Sequence, residues 1–273
     1  MSDTRFFVPG TMLWQIHREM ILLLAGGSAL LMQLAHPKVA AGVADHSHFK
    51  DDPLRRLQRT MDTMWAIIFD ERSHALSVLE QLKNVHRRVH GEIQPAEPLP
   101  AGTSYDALDE ELLLWVFATL IDSGIKSYDL LVRRLSTSEK SRYYDESKAL
   151  ARLFEIPAAL IPPSLADFNN YMERMVASSA IAVGPMARSL AQEIVYPRPW
   201  ILKPGAPLHR LMTAGLLPDK LRQAYGLEWN GRREKMFWAF GKVIRFLLPC
   251  VPRVLRIVPN ARAAEKKISL LRK

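Results

Sequence analysis

DEELLLWVFATLIDSGIKSYDLLVRRL, residues Asp109 to Leu135, is the most hydrophobic periodic stretch of the chain. Leu112, Leu113, Trp115, Val116, Leu120 and Ile121 recur at the spacing of successive helical turns, so the stretch predicts a central helix buried on much of its surface. Elsewhere no segment alternates apolar and polar residues long enough to suggest a sheet. The expected fold class is therefore all-α, a single compact multi-helix bundle.

Working outward, Trp14 to Ala35 reads as one long helix closed by Pro37, because proline disfavours helical geometry in the residue before it. Asp51-Asp52-Pro53 is a start signal, an acidic N-cap followed by proline at the first helical position. Beyond it Leu54, Leu57, Met61, Met64, Ile67 and Ile68 share one face. Glu71 to His90 continues as a helix with Leu76, Leu79, Leu82, Val85 and Val89 inward, stopped by Gly91. Gln94 to Gly102, with Pro95, Pro98 and Pro100, is a loop. Downstream, Ser138–Phe154 and Ser164–Ser179 are helices opened by serine, and Val195 to Pro207 is irregular. Pro218–Tyr225, Gly231–Leu248 and Val251–Lys267 complete the helices. Residues 1–273 read as one helical domain, of which 231–273 form a basic amphipathic C-terminal extension.

The composition narrows the function. Of 273 residues 48% are hydrophobic and 24% charged, enough apolar material for a sizeable core. The single cysteine, Cys250, excludes an internal disulfide and a Cys-rich zinc site, and fits a reducing compartment. The net charge of +9 is concentrated after Arg232. No aromatic-interleaved or helix-turn-helix pattern accompanies it, so no nucleic-acid partner is expected. MSDTRFFVPGTMLW lacks the basic and apolar regions of a signal peptide, and Met20–Ala35 is too short and Gly-interrupted for a membrane span. A cytoplasmic location is expected, with membrane association through 231–273 as the alternative. There Met236–Leu248 carries Phe237, Trp238, Phe240, Val243, Ile244, Phe246, Leu247 and Leu248, with Lys242 and Arg245 between them. Such a helix suits a membrane interface; the plainer reading is a terminal helix docked on the core.

No nucleophile elbow, His-Glu-x-x-His helix or EF-hand loop occurs. Glu71-Arg72-Ser73-His74 has di-iron Glu-x-x-His spacing but stands alone. The histidines carry more. His36, His46, His48, His74, His86 and His90 all lie in the first third of the chain, and neutral imidazole is the common axial ligand of iron in helical pockets. His86 and His90, four residues apart, would share one side of a helix. On the preceding helix Arg56, Arg59 and Thr60 project from adjacent positions. They form either a solvated basic face or a cationic, hydrogen-bonding wall for carboxylates or bound dioxygen.

These motifs resemble a known family. Ala35-His36-Pro37, Ala40 to Ser47, Asp52-Pro53-Leu54, Arg56-Leu57-Gln58-Arg59-Thr60, Val85 to Gly91, Tyr105 to Asp109, Leu112 to Leu120, Gly215 to Pro218, Leu221 to Leu227 and Trp229 are similar to the MpaB/rubber-oxygenase family over nearly the whole chain. The resemblance implies an all-helical bundle enclosing a haem pocket. It also implies haem b as cofactor and oxidative cleavage of an isoprenoid carbon–carbon double bond with dioxygen. It implies His86 as the iron ligand, with His90 as the alternative, and Arg56, Arg59 and Thr60 as the catalytic distal residues. Arg56, Thr60 and His36 would bind the cofactor with His86. Arg59 stands where the rubber oxygenase has lysine, Phe117 replaces a histidine often found in the family, and the acidic base proposed for rubber cleavage has no counterpart. The expected function is a haem b-dependent oxygenase acting on a small hydrophobic, isoprenoid or lipid-like substrate. The alternative is a non-catalytic haem- or lipid-binding helical protein.

Overall fold

The Asp109–Leu135 stretch forms α6 (Glu110–Leu131), and its start is fixed locally. The Asp109 carboxylate accepts hydrogen bonds from the amides of Glu111 and Leu112, and two glutamates occupy the first turn, where negative charge is favoured. Leu114, Trp115, Phe117, Ala118, Ile121, Tyr128 and Leu131 are buried along the helix. The structure is a computed structural model. It describes residues 5–46, 53–196 and 205–271, with the side chains of all but 53–59 and 271. Within these residues α6 is the central rod: α1 (Met12–His17), a 3-10 helix (Met20–Ala25), α2 (Gly26–Leu34), α7 (Thr137–Leu153), α10 (Ala206–Leu216) and α12 (Gly231–Leu247) all pack on it.

The remaining helices are α3 (Pro37–His46), α4 (Pro53–Phe69), α5 (Arg72–His86), α8 (Leu165–Ala177), α9 (Pro185–Val195), α11 (Asp219–Ala224), α13 (Arg253–Arg256) and α14 (Pro259–Leu271). The all-α class holds, with one addition among the described residues. β1 (His90–Glu92) and β2 (Ser104–Asp106) pair antiparallel, with His90 opposite Asp106 and Gly91 opposite Tyr105. The expected helix to His90 therefore ends at His86, and the strands that replace its end are three residues each, too short to leave a period in the sequence. Gly91 is required by close approach and not as a helix stop. A Cβ there would lie 2.6 Å from the Tyr105 hydroxyl, which donates to Asp45 at 2.6 Å.

Two further expectations are corrected by a single contact. The predicted Trp14–Ala35 helix breaks at Arg18-Glu19, and the predicted Val251–Lys267 helix breaks at Ile257-Val258. Glu19 takes an extended backbone and forms an antiparallel bridge with Ile257, while the Val258 amide donates to the Arg18 carbonyl at 2.9 Å. A tertiary partner thus satisfies backbone groups that continued helices would have bonded internally. The C-terminal segment also has a 3-10 turn, Leu248–Cys250.

Smaller differences follow from capping. Ser136, not Ser138, opens α7, in a reciprocal capping box with Glu139, whereas Ser164 caps α8 as expected. Helices α9 and α10 are additions to the expected elements; they flank the irregular stretch expected from Val195 to Pro207, of which residues 197–204 lie outside the described ones. Pro185 and Pro207 sit in their first turns, where proline costs nothing. On α5 only Ala75 is buried, while Leu76 and Val85, expected inward, are exposed. Its main neighbour is α4, so one narrow stripe is covered. The Asp51 cap signal and the side chains of Leu54 and Leu57 lie outside the described residues.

Among the described residues no single helix is long and apolar enough to cross a membrane. Met20–Leu34 and Pro37–His46 pass that test only as a pair, bent by 108°.

Candidate functional site

Helices α4 and α5 are joined by only Asp70 and Glu71 and pack on each other, so the chain reverses between them. At about 1.5 Å per residue, Arg56 and His86 both lie roughly 21–23 Å from that turn. The arrangement brings the last residue of α5 level with the segment of α4 that carries Arg56, Arg59 and Thr60. The Arg56 and Arg59 side chains lie outside the described residues; their backbone is helical. Thr60 is exposed and engaged by a partner.

His86 is half-buried, and burial lowers its pKa below the usual imidazole value. The ring is therefore uncharged at neutral pH, with a lone pair available to a metal. The helical i, i+4 relation expected between His86 and His90 is not formed, because α5 ends first. His90 is exposed on β1, and its carbonyl accepts a hydrogen bond from His46 Nε2 at 3.0 Å.

His36 lies elsewhere, on the turn between α2 and α3. Burial, reinforced by Lys38 and partly offset by Asp109, lowers its pKa to about 4. Its Nδ1 is buried with no hydrogen-bond partner among the described residues. The ring lines a cavity of about 320 Å³ with Lys38, Asp109, Leu160, Tyr171 and Met175. Lys38 and Asp109 are 3.9 Å apart at its wall, and burial, aided by Glu111, raises the Tyr171 hydroxyl well above the usual phenol value.

His48 lies outside the described residues, and the remaining described histidines, His17, His46, His74 and His209, each have a ring nitrogen within hydrogen-bond distance of a protein partner. His74 Nδ1 pairs with Asp70 at 2.9 Å, and Glu71 is held by Lys267, so the Glu-x-x-His spacing forms no metal pair. His17, which no motif singled out, is held at a pKa of about 4 by burial, with Nε2 3.0 Å from the Tyr143 hydroxyl. No group of three or more His, Cys, Asp or Glu is placed to hold a metal ion among the described residues. Ligation through one protein histidine does not require one. Phe117 is buried in the core, its ring centroid 6.5 Å from that of Phe154.

A second, larger cavity of about 760 Å³ opens between α6, α8, α10 and α12, with Met32, Ile125, Met172, Leu216, Phe237 and Trp238 among its walls. Its size and apolar lining are those of a small-molecule pocket. No local sequence signal could have revealed it, since its walls come from segments spread over more than two hundred residues.

Comparison with known proteins identifies a family. Residues 14–246 match the model of the catalytic domain described as ER-bound oxygenase mpaB/B'/rubber oxygenase. The chain is 24% identical over 235 residues to an uncharacterized protein of Mycobacterium bovis, covering 84% of this chain and 90% of that one. The same figures hold for an uncharacterized protein of Mycobacterium tuberculosis. No solved structure matches it. With a match that spans α1 to the last turn of α12, the chain belongs to the MpaB/rubber-oxygenase catalytic-domain family.

Proposed function

We propose that the protein is a haem b-dependent oxygenase that acts with dioxygen on a hydrophobic, isoprenoid or lipid-like substrate. The observation that carries this reading is His86: an uncharged, half-buried imidazole, with no hydrogen bond to its ring among the described residues, level with Arg56 and Thr60 across the α4–α5 hairpin. That donor chemistry fits single-histidine axial ligation. When bound, haem would supply the activation of dioxygen. His86 would hold the group in place, and the Arg56 and Arg59 guanidiniums would provide cationic hydrogen-bond donors for propionates or for oxygen atoms. Thr60 would add a neutral donor. A guanidinium keeps its proton at neutral pH, so Arg59 would orient and stabilise charge without serving as a proton carrier. The largely apolar cavity between α6 and α12 has room for a hydrophobic ligand, although none of its walls comes from α4 or α5.

The test is an optical spectrum of protein expressed with ample haem. A Soret band is expected, lost in His86→Ala. A wild type without the band overturns the reading. A band kept in His86→Ala and lost in His90→Ala transfers the ligand role to His90. One observation favours a second reading, a non-catalytic haem- or lipid-binding protein. Phe117 is packed into the core where many relatives are expected to carry histidine. Oxygen uptake with polyene and isoprenoid substrates separates the two, since a binder consumes none.

A further inference from the structure

Helix α12 has two apolar faces. Phe237 and Gly241 are buried against the bundle, with Phe240 and Ile244 beside them; Phe237 packs on Gly215, and Gly241 on Leu130. A second stripe, Met236, Ala239, Val243, Phe246 and Leu247, falls within an arc of about 100° on a separate side of the helix. All five of these residues are exposed, Phe246 at 80%. Past the 3-10 turn, Val254 and Leu255 on α13 are exposed as well. Of the twelve large hydrophobic residues exposed among the described ones, eight lie between Met236 and Leu270. Scattered exposed apolar residues are ordinary, but a contiguous set of this kind marks a contact surface.

The charge says what kind of surface it meets. Residues 231–273 contain twelve Lys or Arg against two Glu, a net charge of +10, whereas the whole chain carries +9. The rest of the protein is thus close to neutral, and the excess resides in the same C-terminal segment as the apolar stripe. Arg245, Arg253 and Arg256 are engaged by carbonyls or carboxylates, but Arg232, Lys235, Lys242 and Lys266 form no ion pair among the described residues. Lys235 and Lys242 fall on the flank of the stripe, one and a half to two turns apart. A second copy of this chain meeting the stripe face to face would bring the same +10 against it, which disfavours self-association there. An anionic lipid surface supplies both what the stripe and what the charges need.

We infer that the protein docks peripherally on anionic membranes through the outer stripe of α12 and the Val254-Leu255 turn, with Lys235 and Lys242 at the headgroups. The apolar side chains would enter the headgroup–acyl boundary by roughly 5–10 Å, as interfacial helices do. This inference does not depend on haem binding. Helix α12 stays docked on the bundle through Phe237 and Gly241, so its exposed residues meet the lipid without unfolding.

The test is co-sedimentation of the full-length protein with vesicles of phosphatidylcholine plus phosphatidylserine, and with phosphatidylcholine alone. Binding to the mixed vesicles, weakened by salt, is expected. Lys235→Gln with Lys242→Gln should weaken it about twenty-fivefold, about fivefold for each lysine near an anionic surface. Phe246→Ser with Leu255→Ser should weaken it by about tenfold or more through lost apolar insertion. Both pairs alter exposed side chains, so circular dichroism and the thermal midpoint should remain those of wild type. Absence of binding to mixed vesicles at low salt overturns the inference, as does binding that neither pair weakens. A dimer in sedimentation velocity that Phe246→Ser dissolves, without vesicle binding, would assign the stripe to a second copy instead.

Discussion

Replacing Arg256 by alanine should be among the most damaging changes to the fold at any single surface-reaching residue. Glu19 sits at the break between α1 and the 3-10 helix, and its carboxylate is 1% exposed. Arg256 grips it with two hydrogen bonds, Nε to Oε2 at 2.7 Å and Nη2 to Oε1 at 3.0 Å, a bidentate charge-assisted pair. Arg18 Nε is 3.8 Å from the same carboxylate, too far for a good hydrogen bond. Without the Arg256 guanidinium, a buried carboxylate keeps one distant cation and loses both donors. Removing one partner of a buried pair costs about 3–5 kcal/mol, and the remaining Arg18 places this site near 3 kcal/mol. For a chain of this length that lowers the thermal midpoint by roughly 6–10 °C. The matching control is Glu19→Leu with Arg256→Met, which removes both charges; buried pairs exchanged for apolar groups are often close to neutral. The double variant should therefore be more stable than Arg256→Ala alone. Urea unfolding followed by far-UV circular dichroism measures all three proteins. A cost under about 1 kcal/mol for Arg256→Ala refutes the reasoning, as does a double variant less stable than the single one.

Acid should destabilise the fold through His17 and His36. Their folded pKa values of about 4 lie below the ordinary 6.5, so the unfolded chain takes up protons first as pH falls. Stability should be level above about pH 7 and decline below about pH 6.5, by on the order of 2 kcal/mol for each histidine at pH 5. Urea midpoints across that range read it, and a flat profile would contradict the burial of these rings. Gly215→Ala should cost about 1–3 kcal/mol by overpacking, because the added Cβ would meet the Phe237 ring at 2.3 Å. An unchanged thermal midpoint would mean that α10 and α12 do not approach as closely as described.

What the sequence made legible was local, and what it hid was long-range. The α6 helix could be read because its apolar period and its Asp109 cap lie within one stretch. The serine that opens α8 and the proline that opens α4 are equally local signals. The breaks at Glu19 and Ile257 could not be read, since each is caused by a partner more than two hundred residues away. At the site, the position of His86 at the end of α5 departs from the expected continuous helix by a single turn, enough to send His90 into a strand and out of reach of the shared face. His17 looked like any helical histidine; its neutrality comes from burial beside Tyr143 on α7. Along α12 the apolar residues alone do not separate a docked face from an exposed one, for the same reason. Only the packing of Leu130 and Gly215 against it divides the buried face from the exposed one.

The family match ends at residue 246, yet the segment beyond it is tied into the parts of the molecule that the functional proposal needs. Arg256 and Val258 hold the break at Arg18-Glu19, and Glu265 accepts hydrogen bonds from the Trp14 indole and from Arg18. Lys267 pairs with Glu71 in the turn of the α4–α5 hairpin, and α14 packs along α4, the helix that carries Arg56, Arg59 and Thr60. The C-terminal segment is thus a brace on the hairpin as well as part of the exposed apolar surface. These two roles are separable by residue: the bracing side chains are paired with other elements of the protein, while Phe246, Val254 and Leu255 are exposed. Deleting residues after Leu247 would remove buried Ala261, Ala264 and Ile268, uncover the core they pack on and strand Glu19 without Arg256, so a truncated protein that failed on membranes would have failed for either reason. Substitution of the outward side chains alone isolates lipid contact from the brace. Conversely, Arg256→Ala tests the brace without touching the apolar stripe, and loss of haem from that variant with vesicle binding intact would locate the brace's effect at the hairpin.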